Sequence, residues 1–346
     1  MKKLLLGLLL LLVIGAGIIA WIFLGSATGF TSSKEVLYIR TSAATKEAVS
    51  DSLHKNKIIT NRSTFNWLAN RMDLWKNLKP GKYEIKKGSS LLTIVRMLRN
   101  GRQTPVNLVI TKLRTKEDFA RAVGNKFECD SFQMISFLNN NDSLKQFDLD
   151  TTLAMSAILP DTYTYFWNST PQSIFEKLYR ESEKFWTAER NSKAEKHGLS
   201  PSQAYTLASI IEEETNNNEE KGNIASVYLN RINKGMPLQA DPTIKFALKN
   251  FALKRIYEKY LFVESPYNTY RNKGLPPGPI CTPSKKTIDA VLNSPNTDYL
   301  YFVASPDFKE AHDFSTTYEE HLQKAKLYQE ALNSRDSSKA SKAESK

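Results

Sequence analysis

Three consecutive carboxylates, Glu212-Glu213-Glu214, close the apolar run ASIIEEET, and the position of the third suits it to proton transfer. Ser200-Pro201-Ser202-Gln203 is a strong helix start: Ser at the N-cap, Pro at the first helical position, Gln at the third. Ala204, Leu207, Ala208 and Ile211 then recur at i, i+3, i+4 and i+7, one face of a helix, and Ile210 widens it. Glu214 lies three residues past Ile211 and seven past Leu207, so it continues that stripe. Glu212 and Glu213 turn away at roughly 100° per residue. A carboxyl facing the interior is costly unless its altered acidity is used. Partial burial against Ile210 and Ile211 raises its pKa, as a general acid working near neutral pH requires. The competing reading is a solvated acidic helix end.

The elements around this acid supply softer candidates. Helices are predicted over 171–197, 201–214 and 220–234, the last stopped by Gly235. Asn230 and Arg231 are read as anchoring that helix against the site. In GMPLQADPT, Gln239 is polar within an apolar and capping context and is a candidate to line a cleft. Asp241-Pro242 reads as N-cap plus Pro, giving Asp241 a structural role. Asn268, Thr269 and Tyr270 lie in a Pro/Gly-bounded loop, SPYNTYRNKGLPPGPICTP. Their amide, hydroxyl and aromatic groups suit either sugar binding or loop packing. Tyr301 and Phe302 are read as core, and His312 and Ser315 as bracing from the C-terminal segment. A hydrolytic glycosidase needs two carboxyl groups. No convincing second acid emerges, because Asp161 lies in a distant loop, Glu212 is off the stripe, and Asp241 has its cap.

The chain has 346 residues, enough for an anchor and two or three domains. After Met1-Lys2-Lys3, an uncharged stretch from Leu4 to Leu24 is long enough to cross a hydrocarbon core of about 30 Å. Lysines before it, with no basic residue after it until Lys34, place residues 1–3 in the cytoplasm and the remainder outside. A cleaved signal peptide is the alternative. A Gly/Ser/Thr-rich linker (25–34) leads to three similar segments, YIRTSAATKEAVSDSLHKNK, YEIKKGSSLLTIVRMLRNGR and LVITKLRTKEDFARAVGNKF. Each reads as strand, polar turn and helix, and together they form an expected α+β region over 35–130. A mainly helical domain is expected over 131–333, and a disordered tail over 334–346. The overall class is α+β. The net charge of +12 suits a polyanionic envelope or lipid surface better than nucleic acid. Cys129 and Cys281 form no motif, and the four histidines show no metal-ligand spacing, so no metal or cofactor is expected.

ASIIEEET, Asn230-Arg231, GMPLQADPT, SPYNTYRNKGLPPGPI, YLYFVA and HDFSTTYEEH resemble, in order and separation, the membrane-bound endolytic murein lytic transglycosylases (the MltG type). The resemblance implies a single-pass protein of the cell membrane with a LysM-like region beside the bilayer. It also implies a catalytic domain with local similarity to lysozyme and soluble lytic transglycosylases. The implied activity is cleavage of the MurNAc-β-1,4-GlcNAc bond inside nascent glycan strands, leaving 1,6-anhydro ends. The catalytic Glu of the family's E-x-E-T motif corresponds to Glu214. Peptidoglycan synthases of elongation or division are the implied partners. Two departures are visible: the usually basic middle position is Glu213, and DPTIKFAL lacks the Tyr-Gly that often follows DPT. Rival readings are a hydrolytic muramidase and a non-catalytic wall-binding scaffold. A peptidase lacks a visible nucleophile or metal constellation.

Overall fold

The computed structural model describes residues 2–309 and 311–344. Met1 of the expected cytoplasmic tail and residues 345–346 of the expected disordered tail lie outside the described residues. The chain divides into two compact units, residues 1–108, 123–130 and 164–171 forming one and residues 109–122, 131–163 and 172–346 the other. Both are mixed α and β, and the second is mostly helical.

The first unit opens with α1 (Lys2–Leu24), which is long and apolar enough to cross a membrane, a test that a signal sequence also passes. The segment after it is not a free linker. Ala27 and Phe30 are buried in the unit's core, the Ala27 N–H donates to the Ser89 carbonyl (2.9 Å), and its carbonyl accepts from Thr60 N–H (3.0 Å). Two apolar side chains among the Gly, Ser and Thr residues suffice to dock it. Strand β1 (Lys34–Ile39) pairs antiparallel with β2 (Gly81–Lys86), with Leu37 opposite Tyr83, and every second residue faces the core. Between them lie α2 (Lys46–Lys55, capped by Thr45), α3 (Arg62–Arg71, capped by Asn61) and the short α4 (Leu74–Asn77). After β2 comes α5 (Leu91–Arg99), whose first turn is closed by Ser90. The first two strand–helix segments thus share one core, into which α3 and α4, unforeseen in the sequence, insert Phe65, Leu68 and Leu74. The third segment, β3 (Val106–Ile110) and α6 (Lys116–Gly124), stands outside the β1–β2 sheet, and the chain passes between units within it.

In the second unit, α7 (Ser131–Leu138), α8 (Asn141–Lys145) and β4 (Asp161–Tyr165), which ends in the first unit, precede the helices of the candidate site. The single helix expected over 171–197 is two, α9 (Pro171–Phe185) and α10 (Ala188–Lys196), because Thr187 caps the second through Arg190 N–H. Helix α11 (Pro201–Glu214) carries the predicted capping box, with Ser200 and Gln203 bonded reciprocally. It is less one-sided than its stripe suggests, since every residue from Ala204 to Ile211 is buried. It packs among α12 (Lys221–Asn233), α13 (Asp241–Ala247) and α14 (Lys285–Leu292). Strands β5 (Tyr301–Ala304) and β6 (His312–Ser315) form an antiparallel pair. Helix α15 (Tyr318–Glu344) follows and runs on through 334–344, where disorder is expected from composition; that stretch contains Ala, Lys and Glu but no Gly or Pro to stop a helix.

The helical projection misplaces Glu212 as a solvated side chain. Its carboxylate accepts from Lys221 Nζ (3.0 Å) and Ser284 Oγ (3.3 Å) and from the hydroxyl of Thr287, which also accepts from the same ammonium (2.8 Å). The Lys221 side chain is only 5 % exposed, so removing the carboxylate charge strands a cation in the interior. Glu212→Gln is therefore expected to cost about 3 kcal/mol and to lower the thermal midpoint by roughly 6–12 °C. The same change at exposed Glu319 should leave the midpoint within about 1 °C. Adding Lys221→Met to Glu212→Gln should recover part of the loss, and thermal unfolding followed by circular dichroism reads all three.

Candidate active site

Glu214 is the last residue of α11 and lines a cavity of about 370 Å³ together with Tyr228, Arg231, Gln239, Asp241, Tyr270, Phe302, His312 and His321. Its backbone position is fixed from the far side. Thr215, which ends α11, donates its hydroxyl to Glu220 Oε1 (2.5 Å). The same carboxylate accepts from the His312 N–H (2.9 Å) and sits 2.8 Å from His312 Nδ1. Glu220 thus ties the residue after Glu214 to β6.

The Glu214 carboxyl is packed round by protein and keeps only its cavity-facing surface open. This enclosure pushes its pKa up to about 7, and the Asp241 and Glu213 charges push the same way. Opposing them are the Tyr228 hydroxyl, which donates to Glu214 Oε1 at 2.6 Å, and the more distant Lys245 charge. Glu213 contributes little because its own charge is met by a bidentate Arg114 (3.0 Å for both bonds) and by Lys112 (3.3 Å).

Of the residues singled out in the sequence, Glu214, Arg231, Gln239, Asp241, Tyr270 and His312 meet in this cavity. Gln239 holds a left-handed backbone (φ +54°), which is strained for a residue with a Cβ. Its N–H is anchored on the Thr269 carbonyl (3.1 Å). Arg231 spends its guanidinium on main-chain carbonyls, Leu300 through Nε (2.7 Å) and Leu238 through Nη1 (2.8 Å), and so clamps β5 to the turn before Gln239. Asn230 does not reach the cavity; its amide donates to the Thr297 and Tyr299 carbonyls (2.7 and 3.0 Å).

Three expectations are corrected. Asn268 and Thr269 are fully buried and have no surface to offer a sugar. The Asn268 amide holds the Leu261 and Val263 carbonyls and the Tyr270 N–H. Thr269 Oγ1 accepts from Ala240 N–H and bonds Thr243. Both build the loop that presents Tyr270. Asp241 is not an N-cap: that position falls to Ala240, Pro242 takes the second helical position, and the Asp241 carboxylate accepts the Tyr270 hydroxyl (2.5 Å) at the cavity wall. The cavity therefore holds two carboxylates. Phe302, expected in the core, also lines it.

Tyr228 and His321 are the site residues missed in the sequence. Tyr228 is spaced i+4 from Ile224 on α12 and reads as one more apolar position, although a buried phenol needs a hydrogen-bond partner. His321 stacks on Tyr301 (5.3 Å, 23°), its pKa lowered by burial and by the Arg231 charge. Ser315 is buried with no partner for its hydroxyl.

The raised acidity of Glu214 has a consequence for stability. A carboxyl with a folded pKa near 7 and an unfolded value near 4.5 holds its proton more tightly in the folded state. Stability is therefore lost as pH rises from about 4.5 through 7. Glu214→Gln keeps an oxygen for Tyr228 and removes the titration. It should raise the thermal midpoint over wild type at pH 8 and leave it unchanged at pH 4, as read by unfolding scans across that range.

The YceG-like family model matches residues 37–327. The chain is 27 % identical over 307 residues to an endolytic murein transglycosylase of Bacillus subtilis, covering 84 % of each. It is 26 % identical over 293 residues to one of Streptococcus pneumoniae, covering 75 % of this chain and 52 % of that one. The crystal structure of a YceG-like protein from Listeria monocytogenes superposes with a TM-score of 0.55 at 28 % identity, over 85 % of this chain and 99 % of that one. A match spanning most of the chain, including every wall of the cavity, makes it a member of the YceG-like family.

Proposed function

We propose that the protein is an endolytic peptidoglycan lytic transglycosylase that cuts the MurNAc-β-1,4-GlcNAc bond within glycan strands, with Glu214 as general acid and then general base. The observation that carries this reading is a carboxyl with a pKa near 7 in a polar cavity, in a chain whose relatives bear the name endolytic murein transglycosylase.

In the first step protonated Glu214 gives its proton to the bridging oxygen. The C1–O4 bond breaks, GlcNAc leaves as an alcohol, and positive charge develops at C1 of MurNAc, where the substrate's own acetamido group stabilises it. In the second step the Glu214 carboxylate takes the proton of the MurNAc C6 hydroxyl as that oxygen closes on C1. The product is the 1,6-anhydro ring, the acid is restored and no water is consumed. Tyr228 favours the carboxylate needed in the second step, while enclosure favours the acid needed in the first. Gln239 and Tyr270, which line the cavity, are the residues assigned to hydrogen-bonding the sugars.

The second carboxylate, Asp241, favours one alternative, a hydrolytic muramidase in which Asp241 activates water. Its engagement by the Tyr270 hydroxyl supports a positioning role instead. The apolar α1 supports reading the chain as a single-pass membrane protein with its N-terminus inside and the catalytic unit outside, and the family resemblance adds a LysM-like α+β unit beside the bilayer. The local likeness of α11 and its neighbours to lysozyme belongs to the same reading, as does action on nascent strands beside wall synthases.

Product masses from un-crosslinked glycan decide between the chemistries. Wild type should give anhydro ends, lighter by one water than hydrolytic ends, and Glu214→Gln should lose at least about 1000-fold of turnover with the fold intact. Asp241→Asn should retain anhydro products at reduced rate. Full turnover by Glu214→Gln, or reducing-end products that vanish in Asp241→Asn, would overturn the assignment.

A further inference from the structure

At the other end of α11 from Glu214 lies a cavity of about 490 Å³ whose wall includes Pro201 and Ser202. Thirteen residues of helix at 1.5 Å each separate the two ends, about 20 Å along the axis. The opposite wall is a stripe on α9 and the residue just past it: Tyr179, Ser182, Glu183 and Trp186, spaced i, i+3, i+4 and i+7. A stripe at this spacing in a packed helix is normally apolar throughout. Here a hydroxyl and a carboxylate sit between two aromatic rings. Phe147 extends the aromatic surface, with its ring 5.1 Å from Tyr179, and Asp148 and Asn191 add further polar groups.

The Asn191 amide donates to the Trp186 carbonyl (3.4 Å), whereas Ser182 and Glu183 show no such bond among the described residues. Glu183 forms no ion pair, although its neighbours Glu176 and Glu181 on α9 are met by Arg180 and Lys184. Ser182 is 95 % buried and lines the cavity.

We infer that this cavity is a second glycan-binding site, which holds the same strand several sugars away from the bond presented to Glu214. Aromatic faces stack on the apolar faces of pyranose rings, while carboxylate, amide and hydroxyl groups pair with sugar hydroxyls. The inference rests on the transglycosylase reading for its substrate and explains a feature that reading leaves unused. A site one helix length from the reaction cavity engages only strands long enough to span both, and so favours internal cuts in long chains over action on short fragments.

The test is binding by the full detergent-solubilised chain in the Glu214→Gln background, so that no strand is cut. Long un-crosslinked glycan strands are compared with a purified two-sugar fragment, too short to span both cavities. Tyr179→Ala should weaken long-strand binding about tenfold and leave the fragment's affinity unchanged. Glu183→Lys, an exposed position with no packing to lose, should do the same and guards against a folding defect in the first variant. Long strands bound equally by parent and both variants, or equal losses for long and short glycan, would overturn the inference. Wild-type assays for anhydro ends run alongside, so a failed chemistry and a failed second site are told apart.

Discussion

One hydrogen bond inside an enclosed cavity tempers the acidity of the candidate acid: the Tyr228 hydroxyl donates to Glu214 Oε1 (2.6 Å) against the upward pull of burial. Burial raises the carboxyl's pKa and is the largest influence on it. A phenol donating to it pulls the other way, and the balance lies near 7. In the proposed mechanism Glu214 gives a proton and then takes one back, and a pKa near 7 leaves both forms accessible. The elements around it keep the geometry. Arg231 clamps β5 to the Gln239 turn, Glu220 ties the end of α11 to β6, and Asn268 with Thr269 braces the loop that carries Tyr270.

That arrangement explains why so many polar residues near the site are committed to the protein itself. A cavity wall built from loops must satisfy its own main-chain groups before it can hold a substrate, because a buried carbonyl or N–H without a partner is costly. Asn230, Asn268 and Arg231 donate to main-chain carbonyls, and Thr269 Oγ1 accepts from the Ala240 N–H. The groups left facing the cavity are few: Gln239, Asp241, Tyr270, His312 and His321 beside Glu214.

What could be read in advance follows the same division. The capping box at Ser200 and the place of Glu214 at the end of its stripe are local facts, fixed by spacing within one helix, and both are present. Glu212 shows the limit of that projection. Its partners Lys221, Ser284 and Thr287 come from α12 and from residues at the start of α14, and no single-helix view contains them. Asp241 shows another limit, since a shift of one residue in the helix start turns a cap into a cavity wall. The all-round burial of α11 was hidden because its polar members, Thr206 and Ser209, bond main-chain carbonyls and so pass as buried. In the first unit, α3 has a local signature, Asn61 as N-cap with Phe65, Leu68 and Ala69 at helical spacing, that the strand–helix repeat pattern obscures, whereas α4 is a single turn with no capping bond; both fill the core that they share with α5.

The central claim is that Glu214 carries its proton near neutral pH, and a direct titration tests it. Carbon-13 NMR of the full chain labelled at glutamate side-chain carboxyls, with the Glu214 signal assigned by its loss in Glu214→Gln, should show an inflection near pH 7. In Tyr228→Phe that inflection should move upward, because the bond favouring the ionised form is gone. An inflection near 4.5 that ignores Tyr228 would mean the carboxyl is an ordinary solvated acid, and the account would be wrong.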